Sequence, residues 1–383
     1  MANPFMRSTG NPPRKFVGRE LELSELMRAL DHTKAGMPEH TIMFGQFGIG
    51  KTSLLIEFRA RAKDVYAVRI PLFATGDISE ICDIVLREAR SQLDLKPQKL
   101  RGRLVQFGFT VFGTGASLTL GKVQMNPQSA LKEILATIHH QLPEGSTLVL
   151  MLDDLHRITG EGGMDARKVF TVLSNVLLQL NQDKRKIMFV GTGSHDILRI
   201  IRAHDEASVR IFHPQEVPPL SLEETRAVIR EHAKEEGAEF SEEVITKIHE
   251  LSEGIPYYIH ILSYYCFEAR EDSQVRSNAF ERGFPRALND LAEKEFETMY
   301  KGISNGAKRV LAAMVESRKR TLRYSEIKRL AGSEVSVYLS ELNEKNLIVK
   351  DGRGKYRARD RLFAEYLHSH KPYMRNGTIE GRE

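Results

Sequence analysis

Tryptophan is absent from the 383 residues, and only two cysteines occur, Cys82 and Cys266. Two thiols are too few for a disulfide framework or a cysteine-rich metal site. Without tryptophan no base-stacking platform for single-stranded nucleic acid stands out. No apolar run approaches the ~20 residues needed to cross a bilayer. The opening Met-Ala-Asn-Pro-Phe-Met-Arg-Ser-Thr-Gly lacks the apolar core of a secretory signal. His139, His140, His156 and His195 show no metal-ligand spacing and read as structural or solvent-facing. Secreted, membrane-spanning, fibrous and zinc-scaffold classes are set aside, and a cytoplasmic protein is expected.

Hydrophobic residues make up 41% and charged residues 28%, as in a soluble globular chain of two or three domains. The net charge is +5, unevenly spread. Residues 303–370 hold 15 Lys/Arg against 8 Asp/Glu, whereas residues 1–302 hold 38 against 41. A near-neutral body with a basic C-terminal domain suits a polyanionic partner for that domain, although solubility alone could produce the same bias.

Periodicity divides the chain. Residues 1–15 have no period and read as an arm. Residues 16–218 alternate short apolar strands (His40–Phe44, Val65–Leu72, Thr147–Leu152, Lys186–Val190) with helical stretches (Glu20–Leu30, Ile78–Leu93, Arg167–Leu180). That alternation predicts a doubly wound parallel sheet of the α/β class. Residues 104–125 interrupt it: Phe107, Phe109 and Val111 alternate before a Gly113-Thr114-Gly115 turn. This stretch is expected to be an inserted β-hairpin, either a sheet extension or a contact element. Residues 219–302 are helical throughout, opened by a capping-box spacing at Ser221 and Glu224. Their tyrosines 257, 258, 264 and 265 are expected to pack. Residues 303–370 predict three helices (306–317, 324–331, 334–345) and a two-stranded hairpin (347–350, 355–358), the outline of a winged helix. In the tail 371–383, Ile379-Glu380-Gly381-Arg382 matches a protease recognition site and is set aside as a processing remnant.

Gly45, Gln46, Phe47, Gly48, Ile49, Gly50, Lys51 and Thr52 satisfy G-x-x-x-x-G-K-[ST], with a strand before them and a helix after them, and the adjoining Ser53 is counted with them as nucleotide-binding. Glycines allow backbone N–H groups to wrap a β-phosphate, and the helix N-terminus adds its positive end. Lys51 would reach the β- and γ-phosphates and Thr52 would ligate Mg²⁺. The apolar strand Leu148–Leu152 ends in Asp153 and Asp154. Asp153 is placed to hold Mg²⁺, and Asp154 to orient and deprotonate the attacking water. Asp154 is one methylene shorter than glutamate, so hydrolysis is expected to be slow or to need an activator.

On these residues the chain resembles the AAA+ and STAND-type P-loop ATPases, in particular the archaeal-type group with a C-terminal winged helix. Phe16-Val17-Gly18-Arg19-Glu20 resembles their adenine-side box, which implies that Val17, Gly18 and Arg19 lie over the base. The Gly191–Ser194 segment looks like the end of their sensor strand, which makes Thr192 the implied γ-phosphate sensor, with Ser194 the second candidate. Ser208–Phe212 resembles the arginine-finger region, so Arg210 either reaches a neighbour's γ-phosphate or is a surface arginine. Gly254-Ile255-Pro256 follows the STAND and archaeal pattern in a small helical lid, which places Pro256 beside nucleotide. The final Asp360–Tyr366 helix is typical of the archaeal-type group. The resemblance implies ATP and Mg²⁺ as ligands, ATP hydrolysis and ATP-dependent self-association.

Two functions follow. In the first, nucleotide state governs assembly and the winged helix grips double-stranded DNA, in replication, segregation or transposition. The third helix carries Glu334, Glu341 and Glu344, which would repel phosphates. DNA contact would therefore run through Arg318, Lys319, Arg320 and Arg323 and the wing residues Lys350, Arg353, Lys355 and Arg357. In the second, a signalling or defence switch uses the winged helix to contact protein.

Overall fold

A sheet of five parallel strands organises the N-terminal half of the chain. The computed structural model describes residues 2–8, 12–72, 78–106, 111–112, 119–120, 126–158, 166–197, 210–332 and 334–369. Arg19–Pro218 form one compact unit. It runs α1 (Glu20–Lys34), β1 (His40–Phe44), α2 (Lys51–Arg61), β2 (Tyr66–Pro71), α3 (Ile78–Gln92) and α4 (Pro97–Gln106). Then come β3 (Val111–Phe112), β4 (Thr119–Leu120), α5 (Pro127–Gln141), β5 (Leu148–Asp153), α6 (Ala166–Gln182), β6 (Ile187–Gly193) and β7 (Phe212–Glu216). The sheet order is β2-β5-β6-β1-β7, parallel at every pairing. This is the doubly wound P-loop α/β fold.

Alternation along the strands sends successive side chains to opposite faces. Ile42, Val68, Ile70, Leu150, Leu152 and Phe189 lie on one face, buried with the apolar stripes of α3, α5 and α6. Met43, Val149, Met151, Met188 and Val190 are buried on the other, the side of α1. Because β5 and β6 are wholly buried, they read as continuous apolar runs, as parallel strands covered on both sides must. The edge strand β2 is closed by a side chain. The Gln92 carboxamide accepts the Arg69 N–H at 2.9 Å and donates to the Arg69 carbonyl at 2.7 Å.

The inserted segment differs from expectation at its start. Leu104–Gln106 close helix α4 instead of opening a hairpin. Val111–Phe112 and Thr119–Leu120 do pair antiparallel, and the rest of 104–125 lies outside the described residues.

Met1–Gly18 and Pro219–Glu383 form the second compact unit. Residues 2–8 are more than a free arm. Phe5 is buried against His232, Phe240, His260 and Phe267, and Asn3 donates to the Tyr264 carbonyl and to Glu268. Helices α7 (Leu222–Glu235), α8 (Glu242–Ser252), α9 (Pro256–Glu268) and α10 (Ser277–Leu291) follow, with β8 (Glu239–Phe240) paired to β9 (Gln274–Val275). Ser221 and Glu224 form the reciprocal capping box that opens α7. A π-turn (Ala292–Phe296) leads into α11 (Glu297–Lys301).

The C-terminal portion is a winged helix. It comprises α12 (Asn305–Glu316), β10 (Leu322–Arg323), α13 (Tyr324–Ala331), α14 (Val335–Glu344), β11 (Ile348–Lys350), β12 (Lys355–Ala358) and α15 (Arg361–Ser369). Its sheet has three strands, β10-β12-β11, rather than the two expected. Leu322–Arg323 is too short for a strand period to show in sequence. Tyr258 of α9 is buried, donates to Asp360 at 3.2 Å and accepts from Arg359 at 2.8 Å, so one of the tyrosines expected only to pack is also wired into a polar network. Glu295 completes it as an ion-pair partner of Arg359. Among the described residues no helix is long and apolar enough to cross a membrane.

His40 sits in β1 with its Nδ1 accepting the Phe189 N–H at 3.1 Å. The proton therefore belongs on Nε2, which faces Asn181. Burial pushes its pKa down to about 4. Above the ordinary value near 6.5 the ring is neutral whether folded or unfolded. As pH falls from 6.5 toward 4 the unfolded chain takes the proton first, so stability is lost across that window and levels off below it. A full shift of this size corresponds to about 3 kcal/mol. Chemical denaturation across this window is expected to show a shallower acid loss for His40→Gln than for the parent. Identical pH slopes would show that His40 does not carry the effect.

Candidate functional site

The carboxyl ends of β1, β5 and β6 lie side by side, because β6 stands between the other two. The glycine loop leaves β1 at Gly45, whose N–H bonds to the Gly193 carbonyl at 3.3 Å. A Cβ at Gly45 would come to 3.0 Å from the Val217 carbonyl oxygen, tighter than most side chains tolerate, so glycine eases the close passage of the loop. Gly48 and Gly50 have φ of 75° and 94°, the left-handed conformation that glycine adopts without cost. Gly50 also stands at the cap of α2, which has no side-chain cap and no acidic residue in its first turn. The exposed N–H groups and positive end of that helix are thus left for an external anion.

Lys51, the first residue of α2, is buried. Its ammonium donates to the carbonyls of Gly45 and Gln46, both at 2.9 Å. Burial lowers its pKa, and the carboxylates of Asp154 and Asp153 act in the opposite sense. Two of three donors are used within the loop, which leaves one to offer.

Asp153 is the centre of the site and is almost fully buried. Its Oδ1 accepts the Thr52 hydroxyl at 3.1 Å and the Thr192 hydroxyl at 2.6 Å. Its Oδ2 accepts from Arg69 Nη2 at 2.6 Å. The sheet register explains this convergence. Pro71 pairs with Asp153 and Leu152 with Gly191, so Arg69, Asp153 and Thr192 project from the same face of three adjacent strands. Thr192 Oγ1 also accepts the Asp154 N–H at 2.9 Å. Asp154 has a left-handed backbone (φ 65°) and opens a single 3-10 turn, Leu155–Arg157. Its Oδ2 lies 3.6 Å from Arg157 Nε. Leu155 packs so closely on Gly191 that a Cβ there would meet it at 2.4 Å.

Other expected site residues are distributed as follows. Arg19 is buried, with Nη2 on the Ile49 carbonyl at 3.1 Å and Nη1 on Glu22 at 3.2 Å, so its guanidinium braces the glycine loop. Phe47 at the loop tip is exposed and Ile49 is buried, while Ser53 continues α2. Arg210 is exposed, two residues before β7. Val17, Gly18 and Pro256 belong to the second unit, where Pro256 is the first residue of α9. Arg69 and Gln92 were not anticipated. The available signal was a lone arginine inside the apolar strand Tyr66–Pro71.

The basic residues expected to meet DNA divide. Arg318, Lys319, Arg323, Lys350, Arg353 and Lys355 are exposed, whereas Arg320 and Arg357 are half-buried. Arg320 is bound to Glu253, and Arg357 donates to the Ala358 and Arg359 carbonyls. Lys319 pairs with Glu326 at 2.6 Å. On α14, Glu341 accepts both the N–H and the hydroxyl of Ser304 and is drawn into capping α12. That leaves Glu334 and Glu344 as the exposed acids of this helix.

A family model described as Novel STAND NTPase 1 matches residues 10–370. Among curated proteins none is similar to the chain. A Walker-type ATPase of Pyrococcus abyssi has a similar structure, with a TM-score of 0.63 at 17% identity over 94% of this chain and 99% of that one. The ORC2 protein of Aeropyrum pernix, in its ADPNP–ADP complexes, gives 0.62 at 14% identity over 97% of each chain. Its ADP form gives 0.52 at 11% identity over 98% of each. At these identities the likeness is one of fold.

Thr192 links the two aspartates, so Thr192→Val should leave the Asp154 N–H without its acceptor and Asp153 without one donor. In nucleotide-free protein this is expected to cost about 1–3 kcal/mol of stability, measured by chemical denaturation, while Thr192→Ser keeps most of it. A valine variant as stable as the parent would show that the link contributes nothing.

Proposed function

The chain belongs to the Novel STAND NTPase 1 family, and from that premise we propose that it binds and hydrolyses ATP with Mg²⁺ and uses nucleotide state to control a winged helix that grips duplex DNA. The observation that supports the nucleotide reading is the convergence of the uncapped α2, Lys51, Thr52 and Asp153 at one end of the sheet. These groups fit a metal-bound triphosphate. The N–H groups of the loop and of α2 would wrap the β-phosphate, and the Lys51 ammonium would exchange loop carbonyls for phosphate oxygens.

Thr52 and Asp153 would hold the cation. Asp153 Oδ1 is the oxygen beside Thr52, since Oδ2 faces Arg69. Mg²⁺ supplies neutralisation of the charge that builds on the transferred phosphoryl group. Asp154 would accept the proton of the water that attacks the γ-phosphorus, with ADP leaving as the P–O bond breaks. Thr192 would carry any movement of Asp153 to the backbone of Asp154 through its two hydrogen bonds. Arg69 would hold Asp153 in place. Arg210 is the candidate to stabilise transition-state charge in a neighbouring copy.

For DNA, the supporting feature is the wing. Lys350, Arg353 and Lys355 are exposed around the β11–β12 turn, with Arg323 exposed at the adjoining strand β10. A wing-led, phosphate-dominated contact follows. The competing reading, a protein contact, is favoured by the outer side of α14, where Val337 is 65% exposed beside Ser336, Ser340 and Glu344, without a basic residue.

Lys51→Ala is expected to weaken ATP binding at least about tenfold by equilibrium titration, a loss of about 1.4 kcal/mol or more. Asp154→Asn should bind ATP normally and hydrolyse it about 10²–10⁴-fold more slowly; normal turnover would remove Asp154 as the base. In a salt series, duplex-DNA affinity should fall with a log–log slope of about −0.9 per phosphate contact, and Lys350→Gln with Arg353→Gln should flatten it by about two contacts. Absence of DNA binding at low salt, with ATP bound, would transfer the winged helix to the protein-contact reading.

A further inference from the structure

Within the second unit a cavity of about 800 Å³ opens, lined by α10, by α12 and the turn after it, and by β12 and α15. Its floor is apolar, with Phe284 and Leu288 from α10 and Met314 and Val315 from α12. Its rim is cationic, with Arg318, Lys319, Arg320, Arg357 and Arg361 against a single lining carboxylate, Glu365. The volume falls within the range of small-molecule sites.

The rim charges are not balanced locally. Arg320 is bound to Glu253 and Lys319 to Glu326. The lining itself holds five Arg and Lys side chains and His368 against the one carboxylate of Glu365, while Glu253 and Glu326 answer Arg320 and Lys319 from outside it and Glu250 stands with Glu253 beside Arg361. The Arg357 guanidinium reaches main-chain carbonyls, which neutralise nothing. Glu253 is shared: one oxygen faces Arg320 and the other accepts the Arg361 N–H at 3.1 Å. The Arg320 guanidinium is desolvated and repelled by those of Arg357 and Arg361, which lowers its pKa despite Glu253. A fold that holds like charges this close around a cavity gains when an anion enters, because guanidinium groups offer paired donors that match phosphate oxygens. The apolar floor requires the remainder of that ligand to be a ring or aliphatic body.

We infer that this cavity is a second ligand site, distinct from the glycine loop, that takes a small phosphorylated molecule. Its phosphate sits on Arg318, Arg357 and Arg361, and its apolar part lies over Phe284 and Leu288. A bound ligand would bridge α10 to the winged helix and stabilise the second unit by mass action. The inference does not rest on the nucleotide or DNA readings, and each can fail alone.

Phenyl phosphate and inorganic phosphate serve as probes on the full chain carrying Lys51→Ala, which removes the glycine-loop lysine. Thermal unfolding is followed against probe concentration at constant ionic strength. Phenyl phosphate is expected to raise the melting temperature saturably and to act at about tenfold lower concentration than inorganic phosphate, the ratio that about 1.4 kcal/mol of ring burial gives. Arg318→Gln with Arg361→Gln, both at exposed positions, should weaken it at least tenfold. Glu365→Gln, which removes the opposing carboxylate, should strengthen it severalfold. Equal shifts in the Arg318→Gln, Arg361→Gln variant, or a shift that sodium chloride reproduces, would overturn the proposal. So would phenyl phosphate binding that vanishes with Lys51→Ala. Duplex DNA protecting Arg318 and Arg361 in a chain that ignores phenyl phosphate would assign the cluster to DNA and overturn it too.

Discussion

The carboxylate of Asp153 is the constraint on which the nucleotide-binding unit depends. A charge this deeply buried is tolerated only when paired and fully hydrogen-bonded. Three elements supply the partners: Thr52 from the helix after the glycine loop, Thr192 from β6 and Arg69 from β2. They can meet there because the sheet order sets β5 between β2 and β6. The parallel register aligns the three strand positions on one face. The site is therefore a property of the sheet order rather than of any one loop. Arg69 is itself anchored, since Gln92 of α3 clamps its backbone at the sheet edge. Removal of either partner of the Arg69–Asp153 pair would strand a charge, which is why the pair reads as positioning machinery rather than incidental contact.

Much of this was legible beforehand, for physical reasons. The buried strands β1, β5 and β6 announce themselves as apolar runs, and the glycine loop favours glycine where a Cβ would be crowded or φ is positive. The Ser221–Glu224 spacing is a local hydrogen-bond pattern and appeared as expected. Long-range pairing was not legible. Nothing local links Arg69 to Asp153, 84 residues apart, or Arg320 to Glu253, 67 apart. The eight basic residues grouped by sequence proximity therefore separate once folded, with Arg320 and Arg357 turned inward and the wing residues outward. Glu341 likewise counted as a repelling surface acid, yet it caps Ser304. Phe5, in a stretch without period, is held by aromatic partners more than 220 residues away.

The second unit uses polar chemistry to hold its helices to the winged helix. Tyr258, Glu295, Arg359 and Asp360 form a largely buried polar network across the α9–α15 region. Such a network is costly when partly broken, so it ties the helices of this unit to the winged helix. It also gives an anion bound at the cationic cavity leverage over both segments at once.

The most direct test of the account is the affinity for ATP measured by equilibrium titration with Mg²⁺ and again with chelator. If Thr52 and Asp153 form a cation site beside the glycine loop, binding should be at least about tenfold tighter with Mg²⁺, a difference of about 1.4 kcal/mol. Asp153→Asn should bring the two affinities together. Equal affinity in both conditions for the parent protein would contradict the assignment of Asp153 and, with it, the reading of this end of the sheet as a metal–triphosphate site.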